Sequence, residues 1–180
     1  MRTTKRPPNR PRSIAGVAMA AVLAGVGVGL AAPPALADTV AVQYTCTGPG
    51  APSGVQSLSI AVTAPASVEQ GGTADLTVDV ITTLTAPIDI PAGSVSGELK
   101  LDLGGAATGS ATATGFTNSD TIPSGTPVTV TGGKASARLD NAGATTFSPG
   151  DATVHVFGVT VACSVSGTAP VAATTQVGGS

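Results

Sequence analysis

The sequence predicts an all-β domain, an antiparallel β-sandwich or barrel of about eight strands, behind a helical export leader. Three observations predict it. After residue 37, apolar side chains alternate with polar ones at period two, and no stretch carries the 3.6-residue period of an amphipathic helix. Clusters of Gly, Pro, Ser and Asn interrupt the alternation at short intervals, as turns between strands do. The first 37 residues have the three-part layout of a secretory signal.

The leader is read first. Arg2, Lys5, Arg6, Arg10 and Arg12 make a basic, proline-rich start, and residues 14–32 are apolar, mostly Ala, Gly and Val. Pro33 and Pro34 end any helix, because proline lacks the amide donor and clashes with the preceding turn. Ala35-Leu36-Ala37 then supplies the small residues that a signal peptidase requires. The apolar stretch is just long enough to span a bilayer, but Ala and Gly leave it weakly hydrophobic, which favours a cleaved leader over an anchor. Arg10-Pro11-Arg12 is not a twin-arginine pair, so the general secretory route is expected. Cleavage after Ala37 leaves no second apolar span. The expected product is secreted, extracellular or loosely associated with the cell envelope, with no membrane span.

Cleavage also changes the charge. The whole chain has a formal net charge of −2. Beyond residue 37 only Lys100, Lys134 and Arg138 oppose ten acids, a net charge of −7. That excludes a basic nucleic-acid footprint and adhesion to anionic lipid. Trp is absent, and the aromatic side chains are Tyr44, Phe116, Phe147 and Phe157, too few for stacking platforms.

The strands follow in order. Val40, Val42, Tyr44 and Cys46 share one face of a first strand, ended by the loop of residues 48–54. Leu58, Ile60 and Val62 form a second inward set, closed by Pro65, and Gly71-Gly72 turns the chain. Leu76, Val78 and Val80 alternate with Asp75, Thr77 and Asp79; Val95, Leu99, Leu101 and Leu103 alternate with Ser96, Glu98, Lys100 and Asp102. Residues 104–115 are a low-complexity run, read as a flat strand of small side chains or as a loop. Val128 and Val130 mark a short strand, Gly132-Gly133 a turn, and residues 134–140 a weaker strand. Ser148-Pro149-Gly150-Asp151 reads as a turn. A last strand runs through Val154, Val156, Val159, Val161, Cys163 and Val165, with its inward set changing parity near Gly158 as a β-bulge would cause. The domain therefore spans 38–167, and 168–180 is expected to be a flexible tail.

Two cysteines, Cys46 and Cys163, allow one pairing. In an exported domain they are expected to form a disulfide, tying the first strand to the last.

Residues 62–78, with Pro65, Val68 and Gly71 at Pro-x-x-Val-x-x-Gly spacing, resemble the first strands of bacterial immunoglobulin-like modules. The wider layout resembles a family of uncharacterised secreted actinobacterial domains, on Val42-Gln43-Tyr44-Thr45-Cys46-Thr47, Ile90-Pro91-Ala92-Gly93 and Val159-Thr160-Val161-Ala162-Cys163. The resemblance implies an immunoglobulin-like β-sandwich and supplies no functional residues. The chain departs from antibody domains: it has no Trp, its cysteine spacing is too wide for strands B and F, and Tyr44 lies on the first strand, where a tyrosine corner does not occur.

The chemistry is sparse. His155 is the only histidine, in a strand-like run, and is read as an ordinary strand residue and not as a general base. No Gly-x-Ser-x-Gly elbow is present. Asp75 with Asp79, and Glu98 with Asp102, are same-face acid pairs, read as a solvated sheet face. Calcium is the one metal with candidate loops: Asn118, Ser119 and Asp120 in one, and Asp140, Asn141 and Asp151 in another if their loops converge. Neither has EF-hand spacing. Gly133-Lys134 is followed by Ala135, which removes a nucleotide loop. The expectation is a non-enzymatic protein without cofactor, with a structural or binding role toward an envelope or extracellular partner. The alternative is a carrier of a small apolar ligand held between two sheets.

Overall fold

The computed structural model describes residues 36–179. The expected leader lies outside them except for Leu36 and Ala37, which open the first strand. Ten strands follow one another: β1 (Leu36–Thr47), β2 (Val55–Ala64), β3 (Ser67–Glu69), β4 (Gly72–Thr85), β5 (Val95–Gly105), β6 (Gly109–Thr117), β7 (Pro127–Leu139), β8 (Gly143–Val156), β9 (Val159–Val165) and β10 (Ala173–Gly178). No helix occurs among the described residues.

The pairings do not divide into two sheets. They run as one ten-stranded sheet in the order β3-β10-β8-β5-β6-β7-β4-β2-β1-β9, and β9 pairs with β8 as well. Eight strands therefore form a closed circuit, β8-β5-β6-β7-β4-β2-β1-β9 and back to β8, which removes most free edges. Every pairing is antiparallel except β10 with β3, which makes the sheet mixed.

The alternating sets point where period two requires. Val42, Tyr44, Ile60, Val62, Leu76, Val78, Val95, Leu99 and Leu101 are all at most 2 % exposed. Each fully buried Val, Leu or Ile contributes roughly 1.5–3 kcal/mol relative to exposure, so one contiguous core of such residues holds the circuit together.

Four local expectations are corrected. Residues 148–151 are not a turn; they lie inside β8, with Leu101 opposite Pro149. Proline is tolerated there for two reasons. The β5–β8 register shifts between Leu99 and Leu101, which makes a bulge. On its other edge β8 pairs with β10 up to Phe147 and with β9 from Ala152 onward, so Pro149 falls where no ladder partner needs an amide.

Gly158 is not a bulge in one long strand. Val156 pairs with Val159, so Phe157-Gly158 is a two-residue hairpin turn between β8 and β9. Both residues have positive φ, +51° and +78°, as a type I′ turn requires. Gly132-Gly133 is an irregularity inside a continuous β7: Val78 pairs with Gly133 but Val80 pairs with Val130. A Cβ at Gly133 would overlap the Phe116 ring, so any larger residue there would have to displace that ring.

The tail of 168–180 is not free chain. It contains β10, with Ala173, Thr175 and Val177 buried and with hydrogen-bonded partners on β8 and β3. Its inward set is Ala, Thr and Val, too small and polar to read as a strand by pattern alone. The run at 104–115 splits into the end of β5, a short connection and β6, whose Ala111 and Ala113 face inward.

The antiparallel register places four connections at one end of the circuit: residues 48–54, 86–94, 118–126 and the turn 157–158. Residues 65–71, 106–108 and 140–142 lie at the other end.

Candidate functional site

Cys46 and Cys163 stand directly opposite each other on β1 and β9, with Cα atoms 4.0 Å apart, and are joined by a disulfide. The bond spans 117 residues of sequence, yet links neighbouring strands. It lies on the seam that closes the circuit.

Two residues earlier on the same face is Tyr44, fully buried. Its hydroxyl donates to the carbonyl of Gly150 at 2.7 Å. Gly150 belongs to the stretch of β8 between its two edge partners, so the phenol supplies a hydrogen bond that the ladder lacks there. Burial pushes the Tyr44 pKa well above its usual range, and the nearby Asp151 and Asp102 carboxylates push it further. The phenol is therefore a neutral donor, a clamp and not an acid. Asp102 also holds Lys100 in an ion pair of 2.8 Å; that hydrogen bond, with the charge behind it, raises the Lys100 pKa.

The candidate catalytic residues are dispersed. His155, half-buried, has Nδ1 2.9 Å from Thr160 Oγ1, its cross-strand partner on β9. Asp75 accepts from the Ser136 hydroxyl at 2.6 Å, and Asp79 from the Gly132 amide at 2.9 Å. Glu98 stands opposite Thr153 on the outward face. The structure thus places each acid pair on a sheet face, and no acid is hydrogen-bonded to His155.

The calcium candidates do not assemble either. Asn118 is 2 % exposed, and its side chain is spent on the chain itself. Oδ1 accepts from Val95 N at 2.9 Å, and Nδ2 donates to Pro91 O at 2.8 Å and to Asp120 O at 2.9 Å. It pins the connection 86–94 to the connection 118–126, beside the Ile90–Ile122 bridge. Asp140 is paired with Arg138 at 2.8 Å, and Asn141 donates to Ala106 O at 3.1 Å. Asp151 lies well inside β8 and accepts from Val165 N at 3.4 Å. An extended strand rises roughly 3.3 Å per residue, so Asp140 and Asp151 are far apart. Among the described residues no group of three or more His, Cys, Asp or Glu is arranged to hold a metal. No described helix is long and apolar enough to cross a membrane.

One half-open pocket of about 40 Å³ has Gly97 in its wall. Leu58, Ile60, Val80, Leu99, Phe116 and Val130 line it, and the surface it presents is apolar.

Sequence reasoning missed two residues. The Tyr44–Gly150 bond joins strands that only the fold brings together. Phe157 stands in the sequence only as one of four aromatic side chains, and Phe-Gly is not among the dipeptides that signal a two-residue hairpin, so nothing local marks it. No family model, no curated protein and no solved structure matches the chain.

Proposed function

We propose that the chain is an exported, non-enzymatic β-domain that binds a partner at the cell surface. The disulfide between Cys46 and Cys163 carries this reading, because such a bond persists outside the reducing cytosol and is rare within it. The signal-like layout of residues 1–37 agrees with it. So does the resemblance of the segments around Tyr44 and Cys163 to secreted actinobacterial immunoglobulin-like domains. The dispersal of His155 and the acid pairs, with His155 on Thr160, Asp75 on Ser136, Asp79 on Gly132 and Asp102 on Lys100, favours a binding role over catalysis.

The test is direct. Protein recovered from the culture medium of the organism that makes it should begin at Asp38 and gain two hydrogens on reduction. Recovery from the cytoplasm with residues 1–37 attached and both thiols free would overturn the proposal.

A second reading, the carrier of a small apolar ligand, is favoured by the apolar pocket beside Gly97. Its volume of about 40 Å³ is small beside the roughly 300–1,000 Å³ of ordinary small-molecule sites, so the binding domain is preferred. Native mass spectrometry showing a retained hydrophobic molecule would reverse that preference.

A further inference from the structure

Three of the four aromatic side chains, Tyr44, Phe116 and Phe147, are buried in the core. The fourth, Phe157, is 56 % exposed at the tip of the β8–β9 hairpin. Its φ is +51°, a left-handed backbone that bulky residues rarely adopt and that Asn, Asp or Gly adopt readily. Turn chemistry does not call for a phenylalanine there, and solvent penalises it. Strain and exposed aromatic surface at one tip are the marks of an anchor side chain.

Its surroundings extend the patch. Val159, two residues on, is 37 % exposed. Beside Val159 runs the connection 48–54, whose Gly48 lies against Thr160. Neither 48–57 nor 156–162 contains a charged residue. The charges in the connections at this end are both acidic, Asp89 and Asp120. Lys100, Lys134 and Arg138 all lie within β5 and β7, away from it.

We propose that the Phe157 hairpin tip, with Val159, is a docking surface for a protein that offers an apolar pocket to the ring and a basic rim to Asp89 and Asp120. The inference rests on the exported binding domain proposed above and names its surface. A second copy of this chain would bring two acidic ends together, each on a domain of net charge −7, and an anionic bilayer would be repelled in the same way.

The experiment places benzoylphenylalanine at position 157 of the exported protein and, as a control, at Thr108 on the opposite end, on envelopes of the producing cells. The expected result is one cross-linked protein, identified by its peptides, from position 157 and absent from position 108. Purified, that protein should bind the wild type more weakly as salt rises. It should bind Phe157→Asn at least tenfold more weakly and Phe157→Tyr nearly as well as wild type. Phe157→Asn should melt no lower than wild type, because Asn-Gly suits a type I′ turn. Equal affinity for Phe157→Asn overturns the proposal, as do cross-links only to lipid or to a second copy, or equal labelling from both positions. If the protein is exported and disulfide-bonded yet any of these occurs, this surface fails while the binding domain stands. A reduced cytosolic chain removes both.

Discussion

The two halves of β8 are built into the molecule by different means. The C-terminal half, from Ala152, is paired with β9, which is joined covalently to β1 through Cys163 and Cys46. The N-terminal half, up to Phe147, is paired with β10, a six-residue strand near the end of the chain, and beyond it only the three residues of β3. One half is sealed by a bond that survives unfolding; the other depends on the burial of Ala173 and Val177 and on hydrogen bonds such as that from Thr175 Oγ1 to Pro65 O at 2.8 Å. Tyr44 and Gly150 mark the point of transfer between them. The comparison teaches that closure at the seam and closure at the terminus are separable, and substitutions can address them one at a time.

The largest effect is expected at the covalent half. Cys46→Ser releases a loop of more than a hundred residues and should cost on the order of 4–5 kcal/mol by loop-closure entropy. Thermal melts under oxidising conditions should show it, and reductant should bring the wild type down to the variant. A melt insensitive to reductant would show that β9 is held by packing alone.

Next comes the terminal half. Val177→Asp places a carboxylate at a position 4 % exposed and should cost roughly 3 kcal/mol or more, read by urea denaturation. If residues 168–180 behaved as loose chain, this substitution would be silent. Hydrogen exchange should place β10 and β3 among the first segments to open, ahead of β9.

A smaller effect is expected at the transfer point. Tyr44→Phe leaves the Gly150 carbonyl buried without its donor and should cost about 1–2 kcal/mol. The raised Tyr44 pKa adds a pH signature. The folded protein holds the phenolic proton more tightly than the unfolded chain, whose tyrosine titrates near its ordinary value of about 10. Stability from this group is thus complete below about pH 10 and declines as pH rises past it. Denaturation followed from pH 8 to 11 should show that alkaline decline in the wild type and a weaker one in Tyr44→Phe.

The smallest change is a gain. Phe157→Asn relieves a left-handed phenylalanine and should raise stability by about 1 kcal/mol, seen as a modest increase in melting temperature.

Much of the fold was legible because period two is a local signal. The inward sets of β1, β2, β4 and β5 were read from alternation alone, and the cysteine pair from its being the only one. What was not legible depends on partners distant in sequence. Pro149 and Gly150 look like a turn until β8 is seen to change neighbours beside them. Gly132-Gly133 look like a turn until Phe116 is seen against Gly133. The parity change at Gly158 is visible in the sequence, but a bulge and a two-residue turn shift faces alike, so parity alone does not separate them. Ala173, Thr175 and Val177 form a strand only because β8 presents an edge to them. At the candidate site, the sequence told which residues could serve chemistry, but Asn118 and Tyr44 show that the fold itself consumes polar groups that seem available on paper.

The position of the two sulfur atoms along the polypeptide has a kinetic consequence. A chain emerging from its N-terminus exposes Cys46 early, and its partner follows 117 residues later. Contacts so distant in sequence form slowly, because a long intervening segment must first be gathered. Oxidation should therefore follow the pairing of β9 with β1, and thiol accessibility timed after release from denaturant would report that order.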